Sequence, residues 1–290
     1  MHPMSWALVL HGGAGDWRED GIPAALAGIR RAAERGRALC EQGASALEVV
    51  CEAVALLEDD PVFNAGTGSV LNRDGEAEMD AAVMRGRDLA FGAVGAITRV
   101  RHPVHVARAV MERSAHALLV GTGALAFARE HGFGDHDPVS ERARADHLAR
   151  MHPQPPGTVG AACLDAHGEL AAATSTGGLF LKLPGRVGDS PLPGAGTYAG
   201  SAAAVSATGK GELVMRVLGA KRIHDLIGSG ARAQPAIQQM LREMRANVGA
   251  DAGFIAVSRA GDIGIAHGTP AMVHAWCRDG EPGIQAGWKV

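Results

Sequence analysis

The sequence predicts an α/β fold from two observations: short apolar runs bounded by glycine turns, and intervening stretches that repeat apolar residues at helical spacing. A chain of 290 residues, 47% of them apolar and 40 of them glycine, is long enough to bury one generous core. A single domain over residues 1–290 is the organisation that follows.

In chain order, residues 6–10 read as a buried strand running into a glycine-rich turn at 12–15, and 22–42 and 45–58 as helices. Ser45 with Glu48 three residues on makes a capping box before Val49-Val50, and Asp59-Asp60-Pro61 ends the second helix. Residues 76–84 and 90–100 read as strands joined by Arg85-Gly86-Arg87-Asp88, ahead of a helix from about Pro103 to Arg113. The segment 132–157, with Asp135-His136-Asp137-Pro138 and Pro153-Gln154-Pro155-Pro156, reads as a mobile linker holding a short helix. Two hairpins follow, 159–165 with 169–175 around Ala166-His167-Gly168, and 253–258 with 262–267 around Arg259-Ala260-Gly261.

Composition excludes several classes. A net charge of −3 without a long Lys/Arg block argues against nucleic acid as a partner. No apolar run approaches the ~20 residues of a membrane span, and residues 2–6 lack the basic start of a signal peptide, so a cytoplasmic protein is expected. Cysteines at 40, 51, 163 and 277 show neither zinc-site spacing nor the density of a disulfide scaffold, which leaves buried free thiols. Thirteen histidines include no His-Glu-x-x-His, and His102 and His105 bracket Pro103, a poor metal platform.

The chemistry concentrates after residue 156. Cutting the Gly157–Thr158 bond leaves a threonine whose own amine neighbours its hydroxyl, a nucleophile and base in one residue. Such an amine titrates near ~7.7 to 8, so a neutral fraction exists without a histidine. Glycine at 157, with no side chain, tolerates a strained backbone at little steric cost. Taken alone, Thr158 reads more readily as an ordinary β-branched start to a strand, and Thr176 as a strand-end hydroxyl satisfied by backbone; their surroundings reverse the odds. Arg186 and Asp189, in a loop punctuated by Gly185, Gly188 and Pro191, offer a cation and an anion to one small zwitterion, or else pair with each other. Residues 206–212 precede a helix beginning near Glu212, where backbone amides can stabilise a negative oxygen. Thr208-Gly209-Lys210-Gly211 is no phosphate loop, since position 204 is not glycine and Gly211 replaces the Ser or Thr. His11-Gly12-Gly13-Ala14-Gly15 likewise lacks the third glycine of a dinucleotide fingerprint.

Several blocks in order carry a wider resemblance: Leu10-His11-Gly12-Gly13-Ala14-Gly15, Phe63-Asn64-Ala65-Gly66-Thr67-Gly68-Ser69-Val70-Leu71-Asn72, Met79-Asp80-Ala81, and the stretch from Gly157 to Gly211. In them the chain resembles the plant-type asparaginase and isoaspartyl peptidase family of N-terminal-nucleophile hydrolases, made as precursors that cut themselves. The resemblance implies a four-layer α-β-β-α sandwich, cut between Gly157 and Thr158 into an alpha subunit, 1–157, and a beta subunit, 158–290, assembled as a heterotetramer of two of each. It makes Thr158 the nucleophile, oriented by Thr176 and neighboured by Asn64, with the Thr208 hydroxyl and Gly209 amide as oxyanion hole. Arg186 would take the substrate α-carboxylate and Asp189 the α-ammonium, with Gly188 and Gly211 beside them. A loop resembling one that wraps a sodium ion offers main-chain carbonyls of Leu57, Glu58, Asp60, Phe63, Ala65 and Thr67. No organic cofactor is implied, and the substrate would be L-asparagine or a β-aspartyl dipeptide.

The chain departs from the family pattern in three places. Pro155-Pro156 stand before Gly157 where a histidine is common, 198–208 is about one residue short, and 268–276 lacks a familiar tyrosine and arginine. A glycosylasparaginase is the rival within the family, against which Thr176-Gly177-Gly178 argues, and an unprocessed, non-catalytic amino-acid binder is the rival outside it.

Overall fold

A computed structural model describes residues 5–149 and 157–289. Pro155-Pro156, and with them the end of the expected linker, lie outside the described residues. The first half carries β1 (Ala7–Gly15), α1 (Ile22–Glu41), α2 (Ala46–Asp59), β2 (Met79–Arg85), β3 (Ala90–Ile97), α3 (Pro103–Arg113), β4 (Leu118–Val120), α4 (Gly121–Glu130) and α5 (Glu141–Ala149). The second carries β5 (Val159–Leu164), β6 (Leu170–Thr176), β7 (Thr197–Ala199), β8 (Ala203–Gly209), α6 (Gly211–Val217), α7 (Gly219–Gly228), α8 (Ala233–Val248), β9 (Ala252–Ser258), β10 (Ile263–His267), β11 (Ala271–Arg278) and β12 (Gln285–Gly287).

The strands make an eight-stranded sheet in the order β12-β11-β1-β5-β6-β2-β3-β4 and a four-stranded sheet in the order β10-β9-β8-β7. Period-two alternation decides how they stack. On β1, Leu8 and Leu10 pack with Ile29, Val50 and Val54 of α1 and α2. Ala7 and Val9 point the other way, where with Ala162 and Leu164 they meet Ala204, Ile255 and Val257 of the smaller sheet. That sheet turns Val205, Ala207 and Phe254 toward Ile223, Ile237 and Met240 of α7 and α8. Met79, Ala81, Val94 and Ile97 pack with Val106, Val110 and Ala124 of α3 and α4. Strands buried on both faces explain the long runs of small apolar residues, with few polar positions to mark a period.

Both expected hairpins form, β5 with β6 and β9 with β10, each antiparallel. Ser45 caps α2 by accepting the Glu48 amide at 3.3 Å. The expected turn at 12–15 is corrected: β1 runs to Gly15, with a register shift between His11 and Ala14 against β11. Close packing is the reason, since a Cβ at position 12 would stand 2.5 Å from the Phe63 ring. The strand expected at 76–84 begins only at Met79, because the Glu78 carbonyl accepts the Lys182 ammonium instead of joining a ladder. The next strand ends at Ile97, where Ala96 and Arg99 turn to φ values of 47° and 54°.

Within the expected linker, residues up to 149 are tied to the body. Asp135 pairs with Arg99 and Arg129, Arg142 donates to the Pro61 carbonyl at 2.7 Å, and Ala143 packs with Leu71 and Ala77. The divergent 268–276 stretch enters β11, which pairs with β1. All four cysteines are free and buried, as expected, and burial pushes the Cys51 and Cys277 thiols up to about 12. No helix among the described residues is long and apolar enough to cross a membrane.

Candidate active site

Thr158 stands immediately before β5, in the central pair of the larger sheet, its side chain is buried, and β5 itself packs on β8 of the smaller sheet. The two sheets therefore deliver their residues to one place. A cavity of about 480 Å3 is lined by Thr158, Thr176, Asn64, Arg186, Asp189 and Gly209, together with Gly157, Ala14, Val70, Gly178, Leu179, Phe180, Lys210, Asp251 and Thr269. Its size lies within the ~300–1,000 Å3 span of small-molecule sites.

Two threonine hydroxyls at the site each accept a backbone amide, which frees the proton for another partner. Thr176 Oγ1 accepts the Gly178 amide at 2.9 Å, and Thr208 Oγ1 accepts the Ala14 amide at 3.1 Å. Thr208 is itself fully buried beneath the cavity wall. Asn64 donates from Nδ2 to the Gly178 carbonyl at 2.8 Å and accepts the Val70 amide at 3.0 Å, so its amide clamps the turn after Thr176. Gly157 has φ of 110°, where an L side chain is strained, and a Cβ there would stand 2.7 Å from the Gly13 Cα. Replacing Gly157 by Ala is expected to slow any cleavage at the 157–158 bond at least tenfold, read as the intact mass of the chain over time.

Arg186 and Asp189 do not pair with each other. The Nε and Nη2 of Arg186 donate to the two carboxylate oxygens of Glu212, both at 3.0 Å, which leaves the end-on Nη1/Nη2 edge of the fork for another anion. Glu212, marked in the sequence only as a helix start, thus orients the cation, and the pairing holds its carboxyl below the usual range against its partial burial. Gly188 and Gly211 flank the guanidinium: a Cβ on either would lie 2.8 Å from Nη1 or 2.9 Å from Nη2. Asp189 is buried with Oδ2 unpartnered, and desolvation, only partly offset by the Arg186 charge, pushes its carboxyl up to about 7. Asp80 fixes the loop from below, accepting the Gly188 and Ala96 amides at 2.8 Å each. Lys182 lies close by, buried, its ammonium pK lowered by desolvation against the charges of Asp80 and Glu78.

A buried polar chain that sequence reasoning missed links the site-bearing elements. His11 Nε2 bonds Ser206 Oγ at 2.9 Å, Ser206 bonds Thr174 at 2.8 Å, and Thr197 donates to Thr174 at 2.6 Å. Desolvation drives His11 down to about 3, so the imidazole is neutral at any working pH. The signal available was a histidine, two threonines and a serine in strands otherwise apolar, which is weak because strand hydroxyls are common.

The loop after α2 carries the main-chain carbonyls expected around a cation. Leu57, Asp60 and Ala65 carbonyls accept the amides of Asp60, Phe63 and Gly68 at 3.1–3.3 Å and keep a second lone pair each. Glycines at 66 and 68 let the chain wrap close, since a Cβ at either would press within 2.3 Å of the Glu58 carbonyl or 1.9 Å of the Phe63 carbonyl. Among the described residues, no group of three His, Cys, Asp or Glu side chains is placed to hold a metal ion.

A family model described as Asparaginase matches residues 4–283, and the chain belongs to that family. It is 43% identical over 304 residues to the plant-type L-asparaginase of Pyrococcus abyssi, covering 97% of this chain and 99% of that protein. It is 43% identical over 294 residues to the isoaspartyl peptidase of Salmonella typhimurium, covering 93% and 94%. The isoaspartyl peptidase/L-asparaginase of Bos taurus is 40% identical over 292 residues, covering 96% and 95%.

Proposed function

We propose that this protein is a self-processing threonine amidohydrolase that releases L-aspartate from L-asparagine and from β-aspartyl dipeptides. The carrying observation is the meeting, in one cavity between two sheets, of a glycine-preceded Thr158 with the separated charges of Arg186 and Asp189. Membership of the asparaginase family, and relatives named for both activities, support the same reading. We read the two facing sheets and the helices outside them as the four-layer α-β-β-α sandwich of N-terminal-nucleophile hydrolases.

In maturation, Thr158 Oγ1 attacks the Gly157 carbonyl, the peptide C–N bond gives way to an ester, and water cleaves that ester to a Gly157 carboxylate and a free Thr158 amine. The single domain 1–290 then consists of two associated chains, 1–157 and 158–290. In turnover the free amine takes the Oγ1 proton as Oγ1 attacks the β-carbonyl. The Thr208 hydroxyl and Gly209 amide hold the oxyanion, and Thr176, whose acceptor side is used by Gly178, donates to Oγ1. The expelled ammonia or amino acid takes the proton, and water frees L-aspartate from the ester. Arg186 grips the α-carboxylate end-on, Asp189 takes the α-ammonium, and Asn64 holds the turn that carries Gly178.

The carbonyls of Leu57, Glu58, Asp60, Phe63, Ala65 and Thr67 would hold a structural sodium ion, which steadies the loop leading to Asn64 and takes no part in the chemistry. The reaction calls for no organic cofactor. The assembly we propose is a cytoplasmic heterotetramer of two alpha and two beta subunits. An intact-mass spectrum after incubation near neutral pH tests the processing, with fragments 1–157 and 158–290 expected. Ammonia release from L-asparagine then tests turnover, and an uncut chain inactive after long incubation would leave the non-catalytic binder as the reading.

A further inference from the structure

The cavity holds one cation more than an aminoacyl group needs. Its charged lining residues are Arg186, Asp189, Lys210 and Asp251. Asp251 is neutralised by Arg245, whose Nε lies 2.5 Å from Oδ1. Glu212 feels the Lys210 charge, but both its oxygens are taken by Arg186. Among the described residues no carboxylate lies within ion-pair distance of Lys210, whose side chain is exposed. What remains is the open edge of Arg186, whose charge Glu212 shares, together with the unpaired Lys210 and Asp189.

That set can be matched against the two substrates of the reading above, on which this inference rests. L-Asparagine presents one ammonium and one carboxylate, which Asp189 and Arg186 satisfy. A β-aspartyl dipeptide presents one ammonium and two carboxylates, the second on the amino acid that leaves. Lys210 directly follows Gly209, the residue whose amide would face the carbonyl under attack, so it is placed beside the bond that breaks. Position 209 also packs on the β9 start, 3.0 Å from the Ala252 side chain for a Cβ there, which brings Asp251 and Thr269 to the same wall.

We infer that Lys210 is a specificity-determining residue, reading the free carboxylate of the leaving amino acid and favouring isoaspartyl dipeptides with an unblocked C-terminus. The probes are β-aspartyl-leucine, the same dipeptide as its C-terminal amide, and L-asparagine, each assayed for kcat/KM on the processed protein. For the native protein, the free-acid dipeptide is expected to exceed its amide about two- to fivefold, the range of an exposed ion pair. Lys210→Ala should bring that ratio to about one, mainly through KM, and Lys210→Arg should restore it. Rising salt should erode the ratio in the native protein and leave it flat in Lys210→Ala, a readout that a purely structural role would not move. A Lys210→Ala loss shared equally by all three substrates would overturn the inference, because the residue would then serve the α-carboxylate or the shape of the turn. An unchanged ratio would overturn it as well. A native protein that is processed but hydrolyses none of the three would sink the amidohydrolase reading itself, and this inference with it.

Discussion

Thr158→Ala is expected to yield a folded chain of full mass that releases neither ammonia nor L-aspartate, with activity down by at least about 10³-fold. Both losses follow from one oxygen, since the same Oγ1 would open the Gly157–Thr158 bond and later attack the substrate. The fold should survive. Thr158 precedes the ladder of β5, which pairs through Val159 and onward, and removing a small buried hydroxyl and methyl typically costs about 1 kcal/mol or a little more. Thermal unfolding checks this arm, with a shift of a few degrees expected. Thr158→Ser is the useful companion, because it keeps the oxygen and drops only the methyl, and should be cut, though more slowly. Full-rate cutting of Thr158→Ala would assign the cleavage to another agent. An uncut Thr158→Ser would show that the methyl group, by fixing χ1, matters as much as the oxygen.

How much of this site is legible in the sequence depends on the range of the interactions that build it. The hairpin of β5 and β6 is local: turn residues at 166–168 and two apolar runs place Thr158 and Thr176 at the same end of adjacent strands. The Ser45 cap and the Pro103 helix start are local for the same reason. Glu212 is different. Its side chain is ordinary in the first turn of a helix, and only the approach of the 186–189 loop makes it the partner that leaves Arg186 one open edge. The glycines at 12 and 13 carry a real signal that is ambiguous in kind, because turns and close backbone approach both demand glycine. Phe63, far along the chain, decides for close approach, and the strand continues. Strands β4, β7, β8, β11 and β12, with helices α4, α7 and α8, are unmarked in the sequence. Doubly buried strands of small residues, such as Ala203-Ala204-Val205, carry no alternation to read.

Asp189→Asn should stabilise the protein at pH 8 while impairing substrate binding, the second large effect that the structure implies. The Asp189 carboxyl lies at about 7 in the folded chain, against an ordinary value near 3.8. Between those values the folded state holds a proton that the unfolded state has released, so stability falls as pH rises through that window. Above it the folded chain bears the full cost of a buried carboxylate, on the order of 4 kcal/mol. Asparagine removes that cost, but its amide nitrogen inherits the orphaned position of Oδ2, at about 1–3 kcal/mol. The balance is a gain of about 1–3 kcal/mol at pH 8 and a loss of similar size at pH 4, where native Asp189 is already neutral. Denaturant unfolding of both proteins at the two pH values measures it, since other titrating groups cancel in the difference. Function should move the opposite way, because a neutral amide cannot balance an α-ammonium, and KM should rise at least tenfold at pH 8. In the native protein KM should also climb as pH drops below about 7, whereas Asp189→Asn should show no such climb. If the variant were no more stable at pH 8, the carboxylate would have to be solvated or paired in solution, and the ammonium site would need another owner.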